Sequence, residues 1–198
     1  MTTRWPYALG GILLLSAIWL LPLPDGPRFP LHMIRHMVLV ALAAPLLVLG
    51  FPALGRWLAI PPLMAAALEF ALVWAWHLPV AHGLAYRLPA GFAAEQASFL
   101  LAGLCVWGSC LRGAMEDDPG LALAGAGGLL LTSMHMTLLG ALLTLAPRDL
   151  YADFCGTVPA LDAQAVGGML MLAIGTPVYL AAGVALAARA LSLREAAS

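Results

Sequence analysis

Lysine is absent from this chain of 198 residues, and charge of either sign is scarce: nine arginines face ten acidic residues, leaving a formal net charge of -1. Only 10% of the residues are charged, against about 25% in an ordinary soluble domain, while 63% are apolar. So little charge excludes a disordered tail, a soluble globular domain and a nucleic-acid binder that grips phosphates through a basic surface. The three cysteines, Cys105, Cys110 and Cys155, make no C-x-x-C pair and no disulfide framework. Two of them sit in apolar sequence as small hydrophobes, and Cys155 falls in a polar loop. No strand alternation of the kind a membrane barrel needs is present. Hydrolytic motifs of the H-E-x-x-H or G-x-S-x-G type and glycine-rich phosphate loops are also missing, so nothing points to an enzyme.

What the chain has is long apolar runs. At about 20 residues per span, they predict an all-α, polytopic membrane bundle forming a single domain over 1–198, with about six helices near 7–22, 31–50, 61–78, 92–111, 120–146 and 163–188. Proline, glycine and charge punctuate them: Pro22 to Pro27, Phe51-Pro52, Pro61-Pro62, Leu88-Pro89, Glu116 to Pro119 and Pro147 to Pro159. Pro45 and Pro177 fall inside spans, where membrane helices tolerate them. Small residues at Gly103 and Ala124 to Gly128 permit close helix approach, and Trp and Tyr near run ends suit the interface. The first run is expected to be a retained anchor, because no small-x-small cleavage site precedes Leu21-Pro22. Arg4, Arg56, Arg112, Arg189 and Arg194 fall on one side, and Arg28, Arg87 and Arg148 on the other with Arg35 just inside a helix. That balance puts both termini in the cytoplasm.

On this topology the five histidines gather toward the outer face. His32 and His36 open the second span, His77 ends the third, His82 follows in a loop as an interfacial residue, and His135 lies about 16 Å from the outer end of the fifth. His32 and His36 are an i,i+4 pair on one helix face, and Met33 and Met37 repeat the spacing beside it. Thioethers select Cu(I), and imidazole suits copper, zinc and iron. An ionisable side chain within a span is costly and is a functional candidate by default. Glu95 and Asp162 stand at helix starts, where each either serves the helix end or accepts the second N–H of a metal-bound imidazole. Glu69, eight residues before His77 inside the third span, needs a partner or a proton.

Several segments together resemble a known family. They are His32-Met33-Ile34-Arg35-His36-Met37, Ala44-Pro45-Leu46-Leu47-Val48-Leu49-Gly50-Phe51-Pro52, Trp76-His77-Leu78-Pro79, and Phe99-Leu100 with Gly103 and Trp107. Gly140 to Thr144 leading to Tyr151, and Asp162, Gln164, Gly167 and Gly168, complete the set. In order and spacing they resemble the CtaG-type assembly factors of caa-type cytochrome c oxidase, over nearly the whole chain from residue 31. The resemblance implies a multi-helix membrane protein that matures the terminal oxidase and acts in forming the copper centre of its catalytic subunit. The family's recurring histidines fall on His32, His36 and His77. Two departures stand out: family members often carry a histidine where this chain has Gln96, and often have seven spans.

The combined expectation is a non-enzymatic copper chaperone holding Cu(I) at the outer face. His32, His36 and His77 would be its principal ligands, with Met33, Met37 or His135 adding a further position. Its expected partners are the oxidase catalytic subunit, a periplasmic copper chaperone and the lipid bilayer. The alternatives are a haem-binding electron-transfer or haem-handling protein with His36 and His77 as axial ligands, a copper or small-solute transporter using His135 and Glu69, and a scaffold that holds no ion.

Overall fold

The computed structural model describes residues 3–20, 28–152 and 160–197. The expected turn at Pro22 to Pro27, and Cys155 and Pro159, lie outside them. Among the described residues the structure is helical throughout, with no strand. The elements are α1 (Trp5–Leu20), α2 (Arg28–Gly50), α3 (Pro52–Trp57), α4 (Pro62–Trp76), α5 (Pro79–Arg87), α6 (Pro89–Met115), α7 (Pro119–Leu145) and α8 (Ala160–Ala197).

Proline starts five of these helices. Pro52, Pro62, Pro79, Pro89 and Pro119 each occupy a first-turn position, where the missing N–H breaks no helical bond. Asp118 caps α7 by accepting from the Leu121 N–H at 3.0 Å. The residue before it, Asp117, takes a left-handed φ of 55° to make the turn and pairs with Arg189 of α8 at 2.6 Å.

Among the described residues, four helices are long and apolar enough to cross a membrane: α2, α6, α7 and most of α8. The expected third span is instead two helices, α4 and α5, bent by 73° at Leu78-Pro79, and counting the pair as one span gives five. Pro79 is the cause: it has no N–H for an unbroken helix and drives Leu78 into extended backbone, ψ 134°. The first helix has 16 residues, about 24 Å at 1.5 Å per residue, against a hydrocarbon core of about 30 Å. The six expected spans therefore reduce to four or five by length. The last helix, expected at 163–188, runs Ala160–Ala197 without breaking at Pro177. Asp162 lies exposed in its first turn rather than at its cap.

Glycines set the packing. A Cβ on Gly168 would lie 2.6 Å from the Gly140 carbonyl oxygen, so α7 and α8 touch backbone to backbone at that point. Gly50 meets Ala8, which sets α1 antiparallel along the second half of α2, and the Arg4 N–H donates to the Gly50 carbonyl at 2.9 Å. Large apolar side chains such as Leu20, Val80, Met134 and Leu145 point outward and are well exposed. That is costly in water and favourable where lipid is the solvent.

The second half of α2 contains a six-residue π turn, Val38–Ala43, in which the Ala44 N–H reaches back to the Leu39 carbonyl. In that register the next donor would be Pro45, which has none, so the Val40 carbonyl loses its helical partner. Trp107 Nε1 donates to it at 2.8 Å and the Tyr179 hydroxyl lies 3.0 Å away. The same hydroxyl is 2.9 Å from Glu69 Oε1. Glu69 thus obtains the partner its burial requires from α8, 110 residues further along the chain.

Candidate metal centre

The site forms where the start of α2, the α4–α5 bend and the start of α6 converge, and it has two layers. In the outer layer His32 of α2, His82 of α5 and Glu95 of α6 each offer a ligand atom, and all three atoms lie within 4.8 Å of one another. His32 Nε2 is 3.6 Å from Glu95 Oε1, and the His32 and His82 rings meet edge-on at 4.8 Å. Four residues further along both α2 and α6, about 6 Å deeper at 1.5 Å per residue, His36 stacks on Phe99 at 4.1 Å. His77 lies beside His36 with ring centroids 5.3 Å apart.

His77 is held in a defined tautomer. Its Nδ1 is 2.6 Å from the Val73 carbonyl, an acceptor only, so Nδ1 carries the proton and Nε2 keeps its lone pair. Fixing a ring through one N–H in this way is what orients metal-bound imidazoles. His77 Nε2 and both nitrogens of His36 are buried and have no hydrogen-bond partner among the described residues. Such atoms cost about 1–3 kcal/mol each when nothing binds them.

Tyr151 braces the site from the other side. It is fully buried, stacks on Phe29 at 4.6 Å, packs against His82 at 4.7 Å, and donates its hydroxyl to the His77 carbonyl at 2.7 Å. Its loop is pinned by Gln164 of α8, whose Oε1 accepts from the Leu150 N–H at 2.8 Å and whose Nε2 donates to the Leu143 carbonyl at 3.2 Å. Gly167 leaves room for the Phe29 ring, which a Cβ there would meet at 2.5 Å.

The structure brings together His32, His36 and His77 of the expected ligands. Met33 and Met37 are fully buried on the adjacent face of α2, against α8: a Cβ on Gly167 would meet Met33 Cγ at 3.1 Å, and one on Gly175 would meet Met37 Cε at 2.9 Å. His135 stands edge-on to Phe70 at 5.3 Å, outside the three-residue outer group. His82, expected to be interfacial, is instead buried at 4% exposure, because the bend at Pro79 folds α5 back over the site. Glu95, one of two acidic residues expected to serve a helix end or an imidazole, is fully buried beside His32. The W-H-L-P segment carried the signal for His82, since a proline two residues after a histidine ends one helix and starts another.

The fold and the site together define a polytopic helical membrane protein with a buried imidazole–carboxylate centre near one end of its bundle. Residues 3–192 match the cytochrome c oxidase caa3 assembly factor family, and the chain belongs to it. Searches of curated proteins and of solved structures give no match. Membership makes the chain a cytochrome c oxidase assembly factor.

Proposed function

We propose that the protein assists oxidase assembly by binding a copper ion, as Cu(I), at the two-layer histidine centre and passing it to the oxidase catalytic subunit. The observation that carries this reading is the convergence of His32, His82 and Glu95 within 4.8 Å, directly above the unpartnered nitrogens of His36 and His77. An ion with bonds of about 2 Å spaces tetrahedral donors about 3.3 Å apart, so shifts of about an ångström close the outer group on it. Three donors leave a position open, which a carrier needs if a partner's ligand is to displace its own. His36 and His77, one turn deeper, provide a second all-imidazole station, and imidazole suits copper. Met33 and Met37 would join only by turning away from α8. The site end of the bundle faces the outer side of a bacterial inner membrane, where a periplasmic copper chaperone would load it, and the opposite end, which carries both termini and the larger share of the arginines, faces the cytoplasm.

The test is complementation of a deletion strain with the His32→Ala/His82→Ala variant. The expected result is oxidase subunits present in the membrane but deficient in copper and in activity. Full restoration of copper content and activity by that variant would defeat the proposal.

A further inference from the structure

The space over the outer layer is far larger than an ion requires. It is an open-sided cavity of about 520 Å³, with His32, His82 and Glu95 in its lining. That volume is in the range of small-molecule sites. Three arginines line it, Arg28 and Arg35 of α2 and Arg87 of α5, while Glu95 is the one carboxylate among the lining residues. Two of the guanidinium groups are held against aromatic rings. Arg28 donates to the Tyr86 hydroxyl and lies 5.2 Å from the centre of that ring; Arg35 lies 5.6 Å from the centre of Phe92. The Arg35 Nε is buried and has no hydrogen-bond partner among the described residues. The cavity thus gathers positive charge beside a group of metal-type ligands.

We propose that this cavity binds a small oxyanion, a carboxylate or phosphate, on Arg28 and Arg35, and that the anion's oxygen fills the open coordination position of the ion held by His32, His82 and Glu95. The guanidinium fork matches such oxyanions in geometry as well as charge. The anion site stands on the arginines alone, whereas its coupling to the ion rests on the copper reading above. If the two bind together, each tightens the other by the same factor.

The experiment uses metal-free full-length protein in nanodiscs of zwitterionic phosphatidylcholine, titrated calorimetrically with citrate and separately with inorganic phosphate. At least one is expected to bind, and the Arg28→Gln/Arg35→Gln variant is expected to bind about tenfold more weakly or worse. The Arg28→Lys/Arg35→Lys variant, which keeps the charge and loses the fork, is expected to fall between, and it guards against a folding defect. Repeating the titration in nanodiscs containing phosphatidylglycerol separates the sources. Weakened citrate binding assigns the site to a lipid phosphate, and unchanged binding assigns it to a free anion; either outcome supports an oxyanion site. Absence of binding by both probes together with indifference to phosphatidylglycerol would overturn the proposal, as would a glutamine variant that binds like the parent. Citrate binding with a Cu(I) affinity that citrate leaves unchanged would overturn the coupling alone. A protein that binds citrate and no copper would refute the copper reading and leave the anion site standing.

Discussion

Replacing Tyr179 by Phe tests the buried network that Pro45 creates. The hydroxyl, with one proton to donate, lies between the Val40 carbonyl at 3.0 Å and Glu69 Oε1 at 2.9 Å. They do not suffer equally when it goes. Val40 keeps Trp107 Nε1 at 2.8 Å, so its carbonyl remains satisfied. Glu69 Oε2 is already without a hydrogen-bond partner, so the carboxyl group loses its Tyr179 hydrogen bond while fully buried. An orphaned buried polar group costs about 1–3 kcal/mol, and the loss of one oxygen's volume adds little, so Tyr179→Phe is expected to destabilise by about 1–3 kcal/mol. Glu69→Leu removes the orphan along with its partner. In the double variant most of the penalty disappears, and a double-mutant cycle gives a coupling of about 1–2 kcal/mol. The assay is reversible denaturant unfolding in mixed micelles, followed by tryptophan fluorescence. A Tyr179→Phe protein as stable as the parent, or zero coupling in the cycle, would show that Glu69 is satisfied in some other way.

Three further expectations follow from the packing and the site supports. Gly168→Ala places a Cβ 2.6 Å from the Gly140 carbonyl and forces α7 and α8 apart; overpacking of this kind costs about 1–3 kcal/mol, read as a lowered unfolding midpoint in detergent. Gln164→Leu removes the contacts that fix the Leu150–Tyr151 loop, so it should reduce stability and weaken copper binding about tenfold without touching a ligand; copper affinity equal to the parent's would separate the loop from the site. Arg189→Ala breaks an exposed ion pair with Asp117, and its effect on the unfolding midpoint should correspond to less than about 1 kcal/mol.

The legible part of this fold was what depends on local pattern. Apolar runs and proline positions marked most ends of the long helices to within a few residues, but the last helix runs nine residues past its expected end and the short α3 and α5 were read as loops. The i,i+4 spacing of His32 and His36 places both imidazoles on one face of α2. Two features were hidden for opposite reasons. His82 was misplaced because Leu78-Pro79 reads equally as the end of a span and as the corner of a bent one; only packing decides whether the following turn lies in solvent or folds back. Glu69 was unexplained because its partner arrives from α8, and no spacing rule links residues 110 apart. Met33 and Met37 show the limit of donor-type reasoning. Their chemistry suits copper, but Gly167 and Gly175 of α8 make room for them on the face of α2 adjacent to the histidines. The arginines of the outer side also read differently once folded. As loop charges they count toward orientation, and in the structure Arg28, Arg35 and Arg87 surround one cavity.

The most direct measurement of the central claim is a Cu(I) titration of the detergent-purified protein against a chromophoric chelator, with its visible spectrum recorded alongside. The account predicts one ion per chain, no haem absorption, and loss of the ion in the His32→Ala/His82→Ala variant. A protein that takes up no copper, that carries a Soret band in its place, or that binds copper undiminished without His32 and His82 would contradict it.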